Sequence, residues 1–188
     1  RVSRTKVRAA LLMLSKDKVI QIVPDKGAFV AKPSAEEARE VFTVRRILEA
    51  ALAREFVAKA TPADYKRIEK HLTAERKSLG GNDAQTRTRL LGDFHIVLAE
   101  VVGNSVMTGI MRELSMRSAV ITMLYQSRRD ATCSSDEHRA FIDAARAGDA
   151  ELAVKLMVEH LAHVEAALHF EEVPAAARGK DLVAALLA

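Results

Sequence analysis

The sequence predicts a mainly α-helical chain: a short basic helix and a β-hairpin at the start, then an antiparallel bundle of six helices. Two observations carry that prediction. Strand-like residues are confined to the stretch between Val19 and Ala31, whereas from Ser34 onward apolar residues recur at helical spacing almost without interruption. Breaks at Thr61-Pro62, Gly80-Gly81-Asn82, Gly103-Asn104 and Gly148-Asp149, together with a capping pattern at Ser134, then divide the helical stretch into six lengths with short connections.

Ser3 opens the first helix, because its hydroxyl can accept an amide proton of the first turn, and the helix therefore begins at Arg4. Val2 and Val7 stand at the positions of a hydrophobic staple, and Val7, Leu11 and Leu14 form a face expected to pack inward. The opposite side carries Arg4 and Arg8, one turn apart, with Thr5 beside them. Guanidinium forks match guanine edges and phosphate oxygens. Residues 19–23 and 28–31 are strand-like and flank Pro24-Asp25-Lys26-Gly27, where proline sets one turn dihedral and glycine allows a positive one. From the local pattern alone two readings stand: the DNA-reading half of a winged helix-turn-helix with a basic wing tip, or a solvated amphipathic helix followed by an ordinary hairpin.

Ser34 caps a helix reaching about residue 60, Thr61-Pro62 starts another to about residue 79, and a third covers residues 84–102. A longer helix runs to about residue 128, Ser134 and Glu137 form a capping box for the next, and Gly148-Asp149 precedes a last helix reaching Phe170. The predicted division is residues 1–34, 35–172 and a tail, 173–188. In the tail a linker precedes a mostly apolar stretch with Asp181 as its N-cap, either a docking segment or a disordered end.

Charge follows the same division. Residues 1–34 hold eight Lys or Arg against two Asp, a net +6, and the remainder is net −2. Positive charge concentrated on a reading helix and wing favours a polyanion, since each phosphate neutralised releases condensed counterions. With six Phe, two Tyr and no Trp, stacking platforms for single-stranded nucleic acid are not expected. The single cysteine, Cys133, excludes an internal disulfide framework and suits a reducing cytoplasm, and no apolar run is long enough to enter a membrane.

Three histidines carry the chemistry of the bundle. His95 lies on the stripe Leu91, Phe94, Leu98 and Val102; His138 precedes Phe141 and Ile142; His160 is bracketed by Leu156, Met157 and Val164. Each thus points inward from a different helix. From spacing alone two arrangements stand: three separate core histidines bonded to backbone carbonyls, or three imidazoles sharing a metal ion. A metal with an open position could in turn activate water, which makes a metal-dependent hydrolase the alternative function; against it, no carboxylate lies three or four residues from any of these histidines.

The run Ser3-Arg4-Thr5-x-Val7-Arg8-x-Ala10-Leu11, followed by Gly27-Ala28-Phe29-Val30, resembles the second half of the winged helix of GntR-family transcription regulators. The family's DNA-contacting positions fall on Ser3, Arg4, Thr5, Arg8, Lys26 and Gly27; the helix and turn that precede this segment in the family are missing before Arg1, so the chain reads as a fragment. Val44-Arg45-Arg46-Ile47-Leu48-Glu49, Phe94-His95 with Gly103-Asn104, Glu137-His138-Arg139, Gly148-Asp149 and His160-Leu161 resemble the FCD effector domain of the FadR-like branch of that family. The resemblance implies a cytoplasmic homodimeric regulator, a repressor, set on an inverted-repeat operator of double-stranded DNA and controlled by a small organic acid, with no catalysis. It also implies a divalent transition metal, zinc or nickel, on His95, His138 and His160. The aspartate that many such domains place one turn before the first histidine is Leu91 here, so either three imidazoles hold the ion or the pocket binds its acid without one. Arg45 falls where the family places a pocket arginine for the effector carboxylate, with a surface pair to Glu49 as its alternative role, and Leu91 and Asn104 complete the expected effector contacts.

Overall fold

The computed structural model describes residues 2–81, 83–126 and 128–170, the side chains of residues 128–132 excepted; the expectations for the tail at 173–188 lie outside them. Among the described residues the chain forms seven α-helices and one two-stranded antiparallel hairpin. The mainly α fold class holds.

Helix α1 spans Arg4–Lys16, with Ser3 accepting from the Lys6 amide as the N-cap. Strands β1 (Ile20–Val23) and β2 (Gly27–Val30) pair in the register Ile20↔Val30 to Val23↔Gly27. Asp25 and Gly27 both take positive φ, +60° and +100°, so the turn uses an aspartate as well as the glycine. The inward face expected of Val7, Leu11 and Leu14 is not realised among the described residues. Val7 is 48% and Leu14 36% exposed, because the main partner of α1 is β1 alone, and one short strand cannot cover an amphipathic helix.

The bundle comprises α2 (Ala35–Lys59), α3 (Pro62–Leu79), α4 (Ala84–Val102), α5 (Ser105–Tyr125), α6 (Arg128–Arg146) and α7 (Ala150–Ala166). Its helix starts follow the chemistry of their caps: Ser34, Asp83, Asn104 and Asp149 each accept first-turn amides, and Thr61 and Asp64 form a reciprocal capping box ahead of Pro62. Gly103 ends α4 at φ +77°, a left-handed conformation that glycine adopts without a steric cost.

Two boundaries differ from expectation. Ser134 does not cap a helix, since α6 already begins at Arg128; Ser134 and Ser135 are buried in its interior, and Glu137 is taken up by histidines rather than by a capping box. The final helix ends at Ala166, where a bridge between Gln126 and Leu168 and a bond from the His169 amide to the Tyr125 carbonyl (2.8 Å) replace helical continuation. Tyr125 also donates its hydroxyl to the Pro33 carbonyl at 3.0 Å, fastening the stretch between β2 and α2 to the end of α5.

Two apolar clusters hold the bundle together. The larger includes Leu52, Phe56, Ile68, Phe94, Leu98, Met111, Phe141 and Met157; the smaller includes Val41, Phe42, Ile121, Leu161 and Val164. Along α2, Arg45 and Glu49 fall between Phe42 of one cluster and Leu52 of the other, so the polar interior of the bundle lies between two dry regions. Phe94 joins them to the chemistry, stacking on the His138 ring at a centroid distance of 3.9 Å. Phe94→Ala removes a fully buried ring and its stacking partner, and is expected to lower unfolding free energy by about 3–5 kcal/mol in a denaturant titration.

Candidate metal and effector site

His95 on α4, His138 on α6 and His160 on α7 are all buried, and one ring nitrogen from each lies within 4.8 Å of the others. Three helices thus bring together the histidines that the sequence singles out. Each ring is held from behind by a carboxylate: His95 Nδ1 by Glu49 of α2 at 2.5 Å, His138 Nδ1 by Glu75 of α3 at 3.1 Å, and His160 Nδ1 by Glu137 of α6 at 2.7 Å.

A carboxylate can only accept, so each Nδ1 donates to its glutamate, and a neutral imidazole held this way has its Nε2 lone pair free for the centre. Two of these, on His138 and His160, approach to 3.2 Å. Facing lone pairs repel unless a proton or cation lies between them. For nitrogens bonded to zinc at the usual length in a tetrahedron, the separation is about 3.3 Å, so this donor set fits a transition metal, with His95 closing in slightly.

Electrostatics favours the same state. Burial pushes His95 down to about 3 against the attraction of Glu49, and pushes His160 down to about 4 against the bond it donates to Glu137, leaving both imidazoles neutral at physiological pH. Burial alone would raise Glu49, but the Arg45 guanidinium and the bonded His95 win and hold it down to about 2. Glu75 and Glu137 are likewise held below the ordinary carboxylate range by their histidines despite burial.

Arg45 does pair with Glu49, but both are buried at the cavity rather than at the surface. Its Nε donates to Glu49 at 2.6 Å and its Nη1 to Ser118 on α5 at 3.0 Å, while Nη2 is buried without a protein partner, in a residue that lines the cavity beside the histidines. That cavity measures about 110 Å³ and is also lined by Leu91, which puts an apolar side chain on its wall one turn before His95. Asp93 supplies no carboxylate there, since it pairs with Arg89 at 3.0 Å on the outer face. Asn104 is placed elsewhere: it is exposed, and its Oδ1 accepts from Val106 and Met107 as the N-cap of α5, so it makes no wall of the cavity.

Sequence reasoning missed Glu49, Glu75 and Glu137 as part of the site, along with Arg87 of α4, Ser115 of α5 and Gln126, which all line the cavity. On α1 and the hairpin, Arg4, Thr5, Arg8, Lys26 and Gly27 are all exposed, and the Ser3 hydroxyl is engaged with the Lys6 amide at 3.4 Å. None of Arg4, Arg8 and Lys26 forms an ion pair among the described residues, which leaves their charges available.

The FCD domain model matches residues 40–163. The HTH-type transcriptional regulator LutR of Bacillus subtilis (strain 168) is 26% identical, the match covering 91% of this chain and 88% of LutR. The HTH-type transcriptional repressor NanR of Escherichia coli (strain K12) is 28% identical over 89% of this chain and 71% of NanR. A GntR transcriptional regulator from Rhodococcus sp. RHA1 superposes with a TM-score of 0.76 at 25% identity, over 88% of this chain and 79% of that one. Escherichia coli McbR, at a TM-score of 0.75 and 18% identity over 88% of this chain and 84% of its own, shares the fold.

Proposed function

Because the chain belongs to the FCD-domain family of GntR transcription regulators, which bind DNA, we propose that it is a repressor whose grip on its operator is set by a small carboxylate held on a metal ion in the bundle. The observation that carries the reading is the convergence of three buried imidazoles, each with its Nδ1 bonded to a glutamate behind it.

His95, His138 and His160 would hold the ion, zinc or nickel, which supplies Lewis-acid attraction for a carboxylate. Arg45 holds the same acid through its free Nη2, and Leu91 keeps that corner apolar. Ser3, Arg4, Thr5 and Arg8 face the major groove, with Lys26 and Gly27 at the tip of the wing. A cytoplasmic homodimer would set two such heads on an inverted repeat, its twofold axis mirrored in the site. The acid acts by binding one arrangement of the heads more tightly than the other, since only differential affinity shifts such an equilibrium. No helix among the described residues is long and apolar enough to cross a membrane. The hydrolase alternative is not favoured by a family of regulators.

A second reading has one observation behind it, the apolar Leu91: the acid binds Arg45 and the histidines directly, without an ion. Elemental analysis of the purified protein, paired with thermal melts against mono-, di- and tricarboxylates with and without chelator, separates the two. Stoichiometric metal and a chelator-sensitive shift with one acid are expected. A metal-free protein that still responds to an acid supports the second reading, and no response to any acid sinks both.

A further inference from the structure

Four buried side-chain polar atoms among the described residues lack a protein hydrogen-bond partner: Arg45 Nη2, Arg87 Nη1, Ser115 Oγ and Gln126 Nε2. All four belong to residues lining the histidine cavity. Leaving a buried donor unpaired is costly, the more so when it is charged, so the concentration of all four on one cavity describes what the cavity is built to receive. Three of the four are N–H groups, the fourth is a hydroxyl, and among the described residues no aspartate or glutamate lines the wall. The missing partner is rich in acceptor oxygens and negatively charged.

Arg87 is the decisive member. It is only 8% exposed, yet among the described residues it forms no ion pair; Asp83, one turn earlier, interacts with it only through the longer-range field and lies at the exposed start of α4. Arg45, by contrast, is already matched by Glu49. Arg87 leaves α4 two turns before His95, about 12 Å along the axis, so it enters the cavity from a different level than the histidine cluster.

One carboxylate offers two oxygens, which Arg45 and an ion on the histidines would take up between them. Arg87, Gln126 and Ser115 then remain unmet. We infer that the cavity takes a dianion, a dicarboxylic acid of about four or five carbons, with one carboxylate at the histidines and Arg45 and the second held by Arg87. The inference rests on the small-acid reading of this cavity and names the class of acid. Size agrees: a cavity of about 110 Å³ is on the scale of a short diacid and too small for a long-chain one. Gln126 and Ser115 suit a hydroxyl or keto oxygen between the two acid groups.

The test is calorimetric titration of the zinc-loaded chain with succinate and glutarate against butyrate and pentanoate, their monoacid counterparts of equal length, on the wild type and on Arg87→Gln. A charged hydrogen-bonded pair is worth about 1.5–3 kcal/mol, so the diacids are expected to bind wild type at least 10-fold tighter than the monoacids. Arg87→Gln is expected to remove most of that advantage while changing the monoacids less than threefold, with Arg87→Lys recovering part of it. Equal binding of mono- and diacid to wild type, or an Arg87→Gln loss shared equally by both, overturns the role of Arg87 and leaves the small-acid reading intact. Failure of every acid to bind a chain that holds stoichiometric zinc overturns that reading, and this inference with it. The wild-type comparison stands even where the variant does not fold.

Discussion

His138→Ala is expected to take bound metal from about one equivalent per chain to none. Its Nε2 is the nitrogen that comes within 3.2 Å of a second imidazole, and two buried rings alone do not make a closed site for zinc. The thermal consequence is measurable. An ion present at about 100 times its dissociation constant stabilises the native state by about 2.7 kcal/mol, which for a chain of this size raises the melting temperature by about 5–10 °C. Chelator should therefore lower the melting temperature of the wild type by that amount and leave His138→Ala unmoved. Because the alanine also leaves a gap against Phe94, the informative quantity is the response to chelator within each protein, not the difference between them. An unchanged metal content in the variant would remove the three-histidine site from consideration.

The second large effect lies on α1. Arg4→Ala or Arg8→Ala in the full protein should each weaken operator binding by about 1–3 kcal/mol where the guanidinium makes a bidentate contact with a base. Both side chains are exposed and neither is engaged in an ion pair among the described residues, so their truncation leaves the fold untouched. Lys26→Ala at the wing tip should act differently, weakening binding to all sequences alike and reducing the salt slope by about one, as expected of a phosphate contact. Gel-shift titrations at two salt concentrations distinguish these outcomes, and unchanged binding by the arginine variants would overturn their assignment.

How far the sequence could be read depended on whether a signal was local. Ser34, Thr61-Pro62, Gly103 and Asp149 mark helix ends through their own side chains or backbone, and the helices begin and end where they indicate. Ser134 and Glu137 carry the same local pattern but answer to tertiary packing: the helix starts earlier, the serine is buried, and the glutamate faces histidines of α7. The histidine trio was legible because each ring lies among apolar neighbours on its own helix. The glutamates behind them were not, for their partners lie 46, 63 and 23 residues away, and in a sequence Glu75 between Ala74 and Arg76 looks like any solvated acid. Arg87, in the polar run Gln85-Thr86-Arg87-Thr88, is hidden in the same way, since its burial comes from the helices packed around α4 and nothing adjacent in the chain announces it.

Gln126 lines the cavity, and Tyr125, its neighbour, grips Pro33 in the strap between the hairpin and α2. Arg45 stands on α2 itself, about 15 Å along the axis from the helix start that the strap feeds. The strap is therefore tethered twice to the rim of one chamber, through the rod that follows it and through a clasp on its side. The covalent path from the hairpin to the bundle thus runs through a segment fixed at the chamber's edge, so the hairpin cannot swing freely about the start of α2 without first straining the Tyr125–Pro33 bond.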